Sequence, residues 1–138
     1  MPQRDIYHDT VKNALIKDGW TITHDPLVLP FGQRKVYVDI GAEAPFGAEK
    51  NDRQIAVEVK SFVGQSEMAD LERALGQYVF YRFLLARTDP QRVLYLSIPD
   101  ETYASIFVEL EGQELVETQN LKLIVFDPEQ EVIVRWTE

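Results

Sequence analysis

The chain of 138 residues contains no cysteine and only two histidines, His8 and His24. The absence of cysteine excludes disulfides, thiolate catalysis and zinc sites built on cysteine. Two histidines are too few for a histidine-rich metal cage, so carboxylates are the expected ligands of any metal, and they favour hard divalent cations. No apolar run approaches the ~20 residues that a membrane span needs, and the N-terminal stretch has no apolar signal-peptide core. We therefore expect a cytoplasmic protein that does not enter a membrane.

Positive charge is also scarce, since 14 Lys and Arg stand against 23 Asp and Glu, a net charge of -9. This balance argues against a general nucleic-acid coat, because phosphate binding needs Lys and Arg. Residues 1–60 hold 8 basic and 9 acidic side chains, whereas residues 61–138 hold 6 and 14. If any surface meets DNA, the first half supplies most of it. The acidic second half suits a basic protein partner, or only solubility.

The remaining composition, 45% hydrophobic and 27% charged, is that of one ordinary globular domain spanning residues 1–138. Hydrophobic periodicity and turn residues predict the order of its elements. They are a helix capped by Asp5 and ending near Asp18; a strand from Trp20 to Thr23; a turn or loop from Leu27 to Lys35 with two positive charges; a strand from Val36 to Ile40; a loop over residues 42–53; a strand from Gln54 to Phe62; a helix capped by Ser66 and ending near Arg87; a strand from Arg92 to Ile98; two short helices, Asp100 to Phe107 and Gly112 to Gln119; and two strands, Leu121 to Phe126 and Glu131 to Trp136. This order predicts an α/β fold, with a central mixed sheet and helices packed on its faces.

The strand from Gln54 to Phe62 carries the most informative pattern. Ile55, Val57 and Val59 alternate with Ala56, Glu58 and Lys60, so the strand has two different faces. Glu58 and Lys60 share one face, which fits either an exposed ion pair on a solvated surface or an active site on a rigid element. Asp39 lies 19 residues before Glu58, on the preceding strand and opposite its valines. If the two strands pair as a meander, the three polar side chains converge.

These residues resemble the PD-(D/E)xK nuclease superfamily, which has the restriction-endonuclease-like fold. The resemblance rests on V-D-I around Asp39, E-V-K from Glu58 to Lys60, and Q-x-x-x-Y formed by Gln77 and Tyr81 on the long helix. No proline precedes Asp39, a departure that the superfamily tolerates. The resemblance implies that Asp39, Glu58 and the backbone carbonyl of Val59 hold Mg²⁺ or Mn²⁺, while Lys60 orients or helps deprotonate a water.

The same resemblance suggests assisting residues on the two helices. Gln77 and Tyr81 lie one turn apart on one helix face and could reach toward the site. Asp9 lies near the position where many members carry an additional acid, and His8 is the second candidate there. Both Asp9 and His8 also fit the simpler description of exposed helix residues.

Over nearly its whole length the chain also resembles the XisH family of fdxN-element excision controlling factors of cyanobacteria. The residues behind this resemblance are D-I-Y-H-D-T-V-K near the start, A-V-E-V-K-S-F in the centre, A-L-G-Q-Y in the long helix and L-K-L-I-V-F-D-P near the end. Members are implicated in controlling excision of a DNA element by a site-specific recombinase during heterocyst differentiation, together with a small companion protein, XisI.

Two functions are compatible with these resemblances. The leading hypothesis is a DNA excision control protein whose site of Asp39, Glu58 and Lys60 hydrolyses phosphodiesters with Mg²⁺ or Mn²⁺, assisted by Asp9 and Gln77. The alternative is a non-catalytic adaptor whose acidic surface binds an XisI-like companion or the recombinase. In that case the polar residues persist as a structural ion-pair cluster. Whether the chain forms a homo-oligomer stays open.

Overall fold

The computed structural model describes residues 4–46 and 51–137, with the backbone alone for residues 45, 46, 51 and 52. The helices are α1 (His8–Lys17), α2 (Glu67–Thr88), α3 (Asp100–Thr102), which continues into a π-helical turn (Tyr103–Phe107), and α4 (Leu110–Thr118). The strands are β1 (Thr21–His24), β2 (Leu27–Phe31), β3 (Arg34–Val38), β4 (Ile40–Phe46), β5 (Asn51–Val59), β6 (Val93–Pro99), β7 (Leu123–Asp127) and β8 (Val132–Thr137).

Six of these strands form one mixed sheet in the order β1-β4-β5-β6-β7-β8. The pairs β5–β6 and β6–β7 are parallel, whereas the pairs β1–β4, β4–β5 and β7–β8 are antiparallel. The crossover from β5 to β6 passes through α2, as a parallel pair requires a long connection. The predicted central mixed sheet with flanking helices is confirmed.

The two faces of the sheet bury separate apolar cores. Val11 and Leu15 of α1 pack with Ile55, Val57 and Val59 on one face. On the other face, the buried residues of α2 pack against alternate residues of the sheet: Leu71, Ala74, Tyr78, Tyr81, Leu84 and Leu85 of the helix meet Ala56, Leu94, Leu96, Ile98, Leu123 and Val125. Since side chains alternate along a strand, Glu58 follows Ala56 onto the α2 face.

The segment predicted as a turn or loop, Leu27 to Lys35, is instead most of a β-hairpin. Strands β2 and β3 form a two-stranded sheet of their own, paired from Leu27 with Val38 to Phe31 with Arg34. The prediction was wrong because Pro30 and Gly32 suggested a break. Pro30 lies in a two-stranded ribbon, where its missing N–H costs little. Gly32 has a φ of +60°, which suits the tight turn that joins the strands.

The strand predicted from Val36 to Ile40 is interrupted at Asp39. Val36 and Val38 pack in the α2-side core, whereas Ile40 packs in the α1-side core. The chain therefore crosses from one face of the main sheet to the other at Asp39, which is not an ordinary alternating strand position. Ile40 pairs with Val57, so β4 and β5 form the expected antiparallel meander.

Several predicted boundaries need correction. Helix α1 begins at His8, and Asp5 is not its N-cap residue. The predicted loop over residues 42–53 is mostly the continuing β4–β5 pair, which extends to Phe46 opposite Asn51; residues 47–50 lie outside the described part. Strand β5 ends at Val59. The cap of α2 is confirmed, since Ser66 Oγ accepts a hydrogen bond of 3.1 Å from the Ala69 N–H.

Within the described ranges, no helix is both long enough and apolar enough to cross a membrane.

Candidate functional site

A cleft of about 240 Å³ opens where β5 ends, between the start of β4 and the middle of α2. Its lining residues come from four parts of the chain that are distant in sequence: Arg4, Asp5, Tyr37, Asp39, Glu58, Val59, Lys60, Gln77 and Tyr81. The structure thus brings together six residues that the sequence suggested: Asp39, Glu58, Val59, Lys60, Gln77 and Tyr81.

Strand β5 positions Glu58 and, one residue past its end, Lys60. Its other face is fixed by Val57 and Val59 in the α1-side core, so the polar side chains must turn toward the cleft. Glu58 is only 5% exposed. The Lys60 Nζ atom lies 3.5 Å from Glu58 Oε2. This ion pair is therefore not the exposed surface pair that the sequence alone left possible.

Asp39 and Glu58 interlock through the backbone. The Asp39 N–H donates to Glu58 Oε1 at 3.2 Å. The Val59 N–H donates to Asp39 Oδ2 at 2.8 Å. The Glu58 carboxylate is thus held by the backbone N–H of Asp39, and the Asp39 carboxylate by the N–H of the residue after Glu58.

Burial raises the pKa of both carboxyl groups and so disfavours the state in which both are ionised. Desolvation, followed by the charge of Asp39, raises the pKa of Glu58 to about 8, despite the opposing effect of Lys60. Desolvation also raises the pKa of Asp39, although hydrogen bonds from Val59 and Glu58 act against it. Two buried carboxyl groups that cannot easily carry two negative charges form a site at which a cation, or a shared proton, is favoured.

Helix α2 contributes two polar side chains to the cleft. Gln77 Oε1 is buried and has no hydrogen-bond partner among the described residues. Burial, followed by the charges of Glu58 and Asp39, raises the pKa of Tyr81. Tyr81 therefore remains a neutral phenol, and both side chains keep polar atoms that a ligand in the cleft could use.

Asp9 is not among the residues that line this cleft. Its side chain is 79% exposed, and its nearest ion-pair partner is Arg4 at 3.9 Å. The acid that does enter the cleft from the N-terminal segment is Asp5, whose Oδ2 accepts a 3.0 Å hydrogen bond from the Ser61 N–H. Asp5 and Ser61 are 56 residues apart. Sequence analysis missed this contact because a local pattern shows Asp5 only as a helix cap.

His8 is buried beside the site rather than exposed. It is 3% exposed, and its Nε2 lies 2.6 Å from Asp25 Oδ1. Lys12 Nζ donates to the other oxygen of Asp25 at 2.8 Å. Burial would raise the pKa of Asp25, but hydrogen bonds from Lys12 and His8 outweigh it and lower that pKa. The charge of His8 also acts on Asp39, where it lowers the pKa, so His8 is an electrostatic neighbour of the carboxylate pair.

The donor set of the cleft fits a hard divalent cation. Asp39 and Glu58 supply carboxylate oxygens for the ion. Gln77 places in the same cleft a buried amide oxygen, without a partner among the described residues, that can accept a hydrogen bond from a bound water or substrate. No group of three or more His, Cys, Asp or Glu side chains within residues 4–46 and 51–137 could enclose a metal ion. Mg²⁺ suits such a site, because it is usually bound by one or two carboxylates and keeps several waters.

The six-stranded mixed sheet, with helices on its faces and this cleft at the end of β5, matches the restriction-endonuclease-like fold. The chain belongs to the XisH family: the family model described as XisH protein matches residues 1–134.

Two solved structures are similar over almost the entire chain. One is an XisH family protein from Nostoc punctiforme PCC 73102, which is 41% identical with a TM-score of 0.86, over 97% of this chain and 100% of that one. The other is an fdxN element excision controlling factor protein from Anabaena variabilis, 42% identical with a TM-score of 0.86, over 98% and 100% of the two chains. No curated protein matches the chain.

Proposed function

We propose that this protein takes part in the controlled excision of a DNA element, and that its cleft hydrolyses a phosphodiester with Mg²⁺ or Mn²⁺ as in PD-(D/E)xK nucleases. The first part is supported by the family and by the related excision controlling factor. The second part rests on one observation, the buried Asp39–Glu58 pair with Lys60 Nζ 3.5 Å from Glu58. We expect the protein to act in the cytoplasm.

Asp39, Glu58 and the Val59 carbonyl would hold the metal ion. When bound there, Mg²⁺ or Mn²⁺ polarises a phosphate oxygen and lowers the pKa of a bound water. The Lys60 ammonium group orients the attacking water and stabilises negative charge on the phosphate.

The reaction follows from this arrangement. The attacking water loses a proton to solvent as its oxygen bonds to phosphorus. The bond from phosphorus to the 3′ oxygen breaks, and that oxygen takes up a proton from solvent. The products are a 5′-phosphate and a 3′-hydroxyl. Gln77 and neutral Tyr81, which α2 contributes to the cleft, position the substrate by hydrogen bonding.

The experiment is a cleavage assay on supercoiled and branched DNA with Mg²⁺ or Mn²⁺, with and without an XisI-like companion. Lys60→Ala is compared with Lys17→Ala, which removes an exposed lysine at the far end of α1. Cleavage that needs both the metal and Lys60, and that survives Lys17→Ala, supports the nuclease. Cleavage that persists in Lys60→Ala at the wild-type rate refutes it.

A non-catalytic adaptor is the second candidate, and a specific surface favours it. A cleft of about 710 Å³ at the C-terminal ends of β6 and β7 has five acidic side chains and no basic one: Glu67, Asp100, Glu101, Asp127 and Glu129. Such a surface suits a basic partner, either the XisI-like companion or a site-specific recombinase. A stable complex with no metal-dependent cleavage under any condition would select this function. Sedimentation of the protein alone would show whether a homo-oligomer forms.

A further inference from the structure

The β2–β3 hairpin is an exposed, positively charged arm on an acidic protein. Between Asp25 and Asp39 the sequence contains no Asp or Glu, but it contains Arg34 and Lys35. Both side chains are exposed. Neither has an ion-pair or hydrogen-bond partner within the described part of the chain. The arm thus carries two unpaired cations in a chain whose net charge is -9.

The base of the arm is fixed to α2. Leu27, Leu29 and Val38 are buried in the α2-side core. Farther out, the Phe31 ring meets the Phe80 ring edge to face, with 5.5 Å between their centroids. This packing orders the backbone before any ligand arrives, so docking on the arm requires ordering of the two cationic side chains alone.

The arm also leads directly into the cleft. Lys35 and Tyr37 lie on the same face of β3, because side chains alternate along a strand. Tyr37 lines the cleft, and Asp39 follows the last residue of β3. The four steps along the chain from Lys35 to Asp39 span roughly 13 Å at about 3.3 Å per step. This distance corresponds to about four base pairs of duplex DNA at about 3.4 Å each.

We propose that the β2–β3 hairpin is a docking arm for duplex DNA, on which Lys35, on the same face as Tyr37, contacts a phosphate about four base pairs from the phosphodiester held in the cleft. Arg34, beside the turn on the other face, contacts a neighbouring phosphate. This inference rests on the proposed function, in that it takes DNA as the ligand of the cleft. Because the net charge of -9 disfavours the approach of DNA to the protein as a whole, a local pair of unpaired cations beside the site favours approach of the duplex at this place. Phosphate contacts of this kind position the duplex without reading its sequence.

The test measures binding of a fluorescent 30-base-pair duplex by anisotropy, at several salt concentrations from 50 to 200 mM and with Ca²⁺ in place of Mg²⁺. The variant Arg34→Gln/Lys35→Gln is compared with Lys17→Gln/Arg135→Gln. The control pair is exposed, lies on α1 and β8, and changes the net charge equally. All four substitutions are on the surface, and a thermal melt of each variant checks that it folds.

Each phosphate contact contributes about 0.9 to the slope of log affinity against log salt concentration. We therefore expect the arm variant to lower that slope by about 2 and to weaken binding about tenfold at 50 mM salt, while the control variant stays within about twofold of the wild type. Equal effects of the two variants would overturn the inference, as would the absence of any duplex binding by the wild type.

The arm and the nuclease can fail separately. DNA binding that depends on the arm, without any cleavage, would support the docking arm and refute the proposed nuclease. Metal-dependent cleavage, with DNA binding unchanged in the arm variant, would support the nuclease and refute the docking arm.

Discussion

Replacing Glu58 by glutamine is expected to stabilise the metal-free protein at neutral and alkaline pH. The pKa of Glu58 is about 8 in the folded protein and 4.5 ordinarily. Between these values the folded state holds a proton that the unfolded chain has released. The free energy of unfolding of the wild type therefore decreases as the pH rises through this window. Glutamine cannot ionise, so the free energy of unfolding of Glu58→Gln should not decrease in this way as the pH rises.

The size of the effect follows from the same pKa. One pH unit corresponds to ~1.4 kcal/mol, so from pH 5 to pH 8 the wild type loses at most about 4 kcal/mol relative to Glu58→Gln. Asp39 and Glu58 titrate as a coupled pair, so the released proton belongs to the pair, and about 4 kcal/mol is the upper limit of the difference. The measurement is urea unfolding in EDTA at half-unit steps from pH 4.5 to pH 9.

Two controls make this test decisive. Glu72→Gln removes an exposed carboxylate from α2 and should follow the wild-type profile. Mg²⁺ should raise the stability of the wild type at pH 8 but leave Glu58→Gln nearly unchanged, because the proposed metal site requires both carboxylates in their ionised form. Parallel pH profiles for the wild type and Glu58→Gln would refute the account of the buried pair given above.

Other substitutions test the packing around the site and beneath the sheet. Asp25→Asn leaves buried His8 without its charged partner, and we expect it to lower the free energy of unfolding in urea by about 2–3 kcal/mol at pH 7. Because the pKa of Asp25 is lowered in the folded protein, this difference should be present above about pH 3.8 and vanish as the pH falls through the lowered pKa. Gly112→Ala drives a Cβ into the Ile106 carbonyl oxygen and should destabilise by at least ~2 kcal/mol. Gly76→Ala, in the middle of α2 with nothing within 4 Å of the added carbon, should instead stabilise by ~0.5–1 kcal/mol, and equal thermal midpoints for the two alanine variants would contradict the packing.

The sequence predicted the order of the main elements because their signals are local. Alternating residues define β5, and Ser66 with a helical apolar stripe defines α2. The convergence of Asp39 with Glu58 and Lys60 was also predictable, since it needs only that two consecutive strands pair. These features depend on residues that are close in the chain or joined by a meander.

The features that sequence analysis missed depend on contacts between distant residues. Pro30 and Gly32 are typical of loops, yet α2 supplies the apolar surface that makes a hairpin of β2 and β3. The bond from the Ser61 N–H to Asp5 and the burial of His8 against Asp25 follow from how α1 lies against the sheet. The periodicity of the sequence does not predict how a helix is placed against a sheet.

The change of faces at Asp39 makes the candidate site sensitive to both cores of the protein. Val38 is buried in the α2-side core and Ile40 in the α1-side core, so the position of Asp39 between them depends on the packing of both. A small change in either layer, such as Val38→Ala or Ile40→Val, would shift Asp39 relative to Glu58 without altering any residue that a ligand touches. Selection for the geometry of the cleft would then act on apolar residues on opposite sides of the sheet, and would link their sizes during evolution.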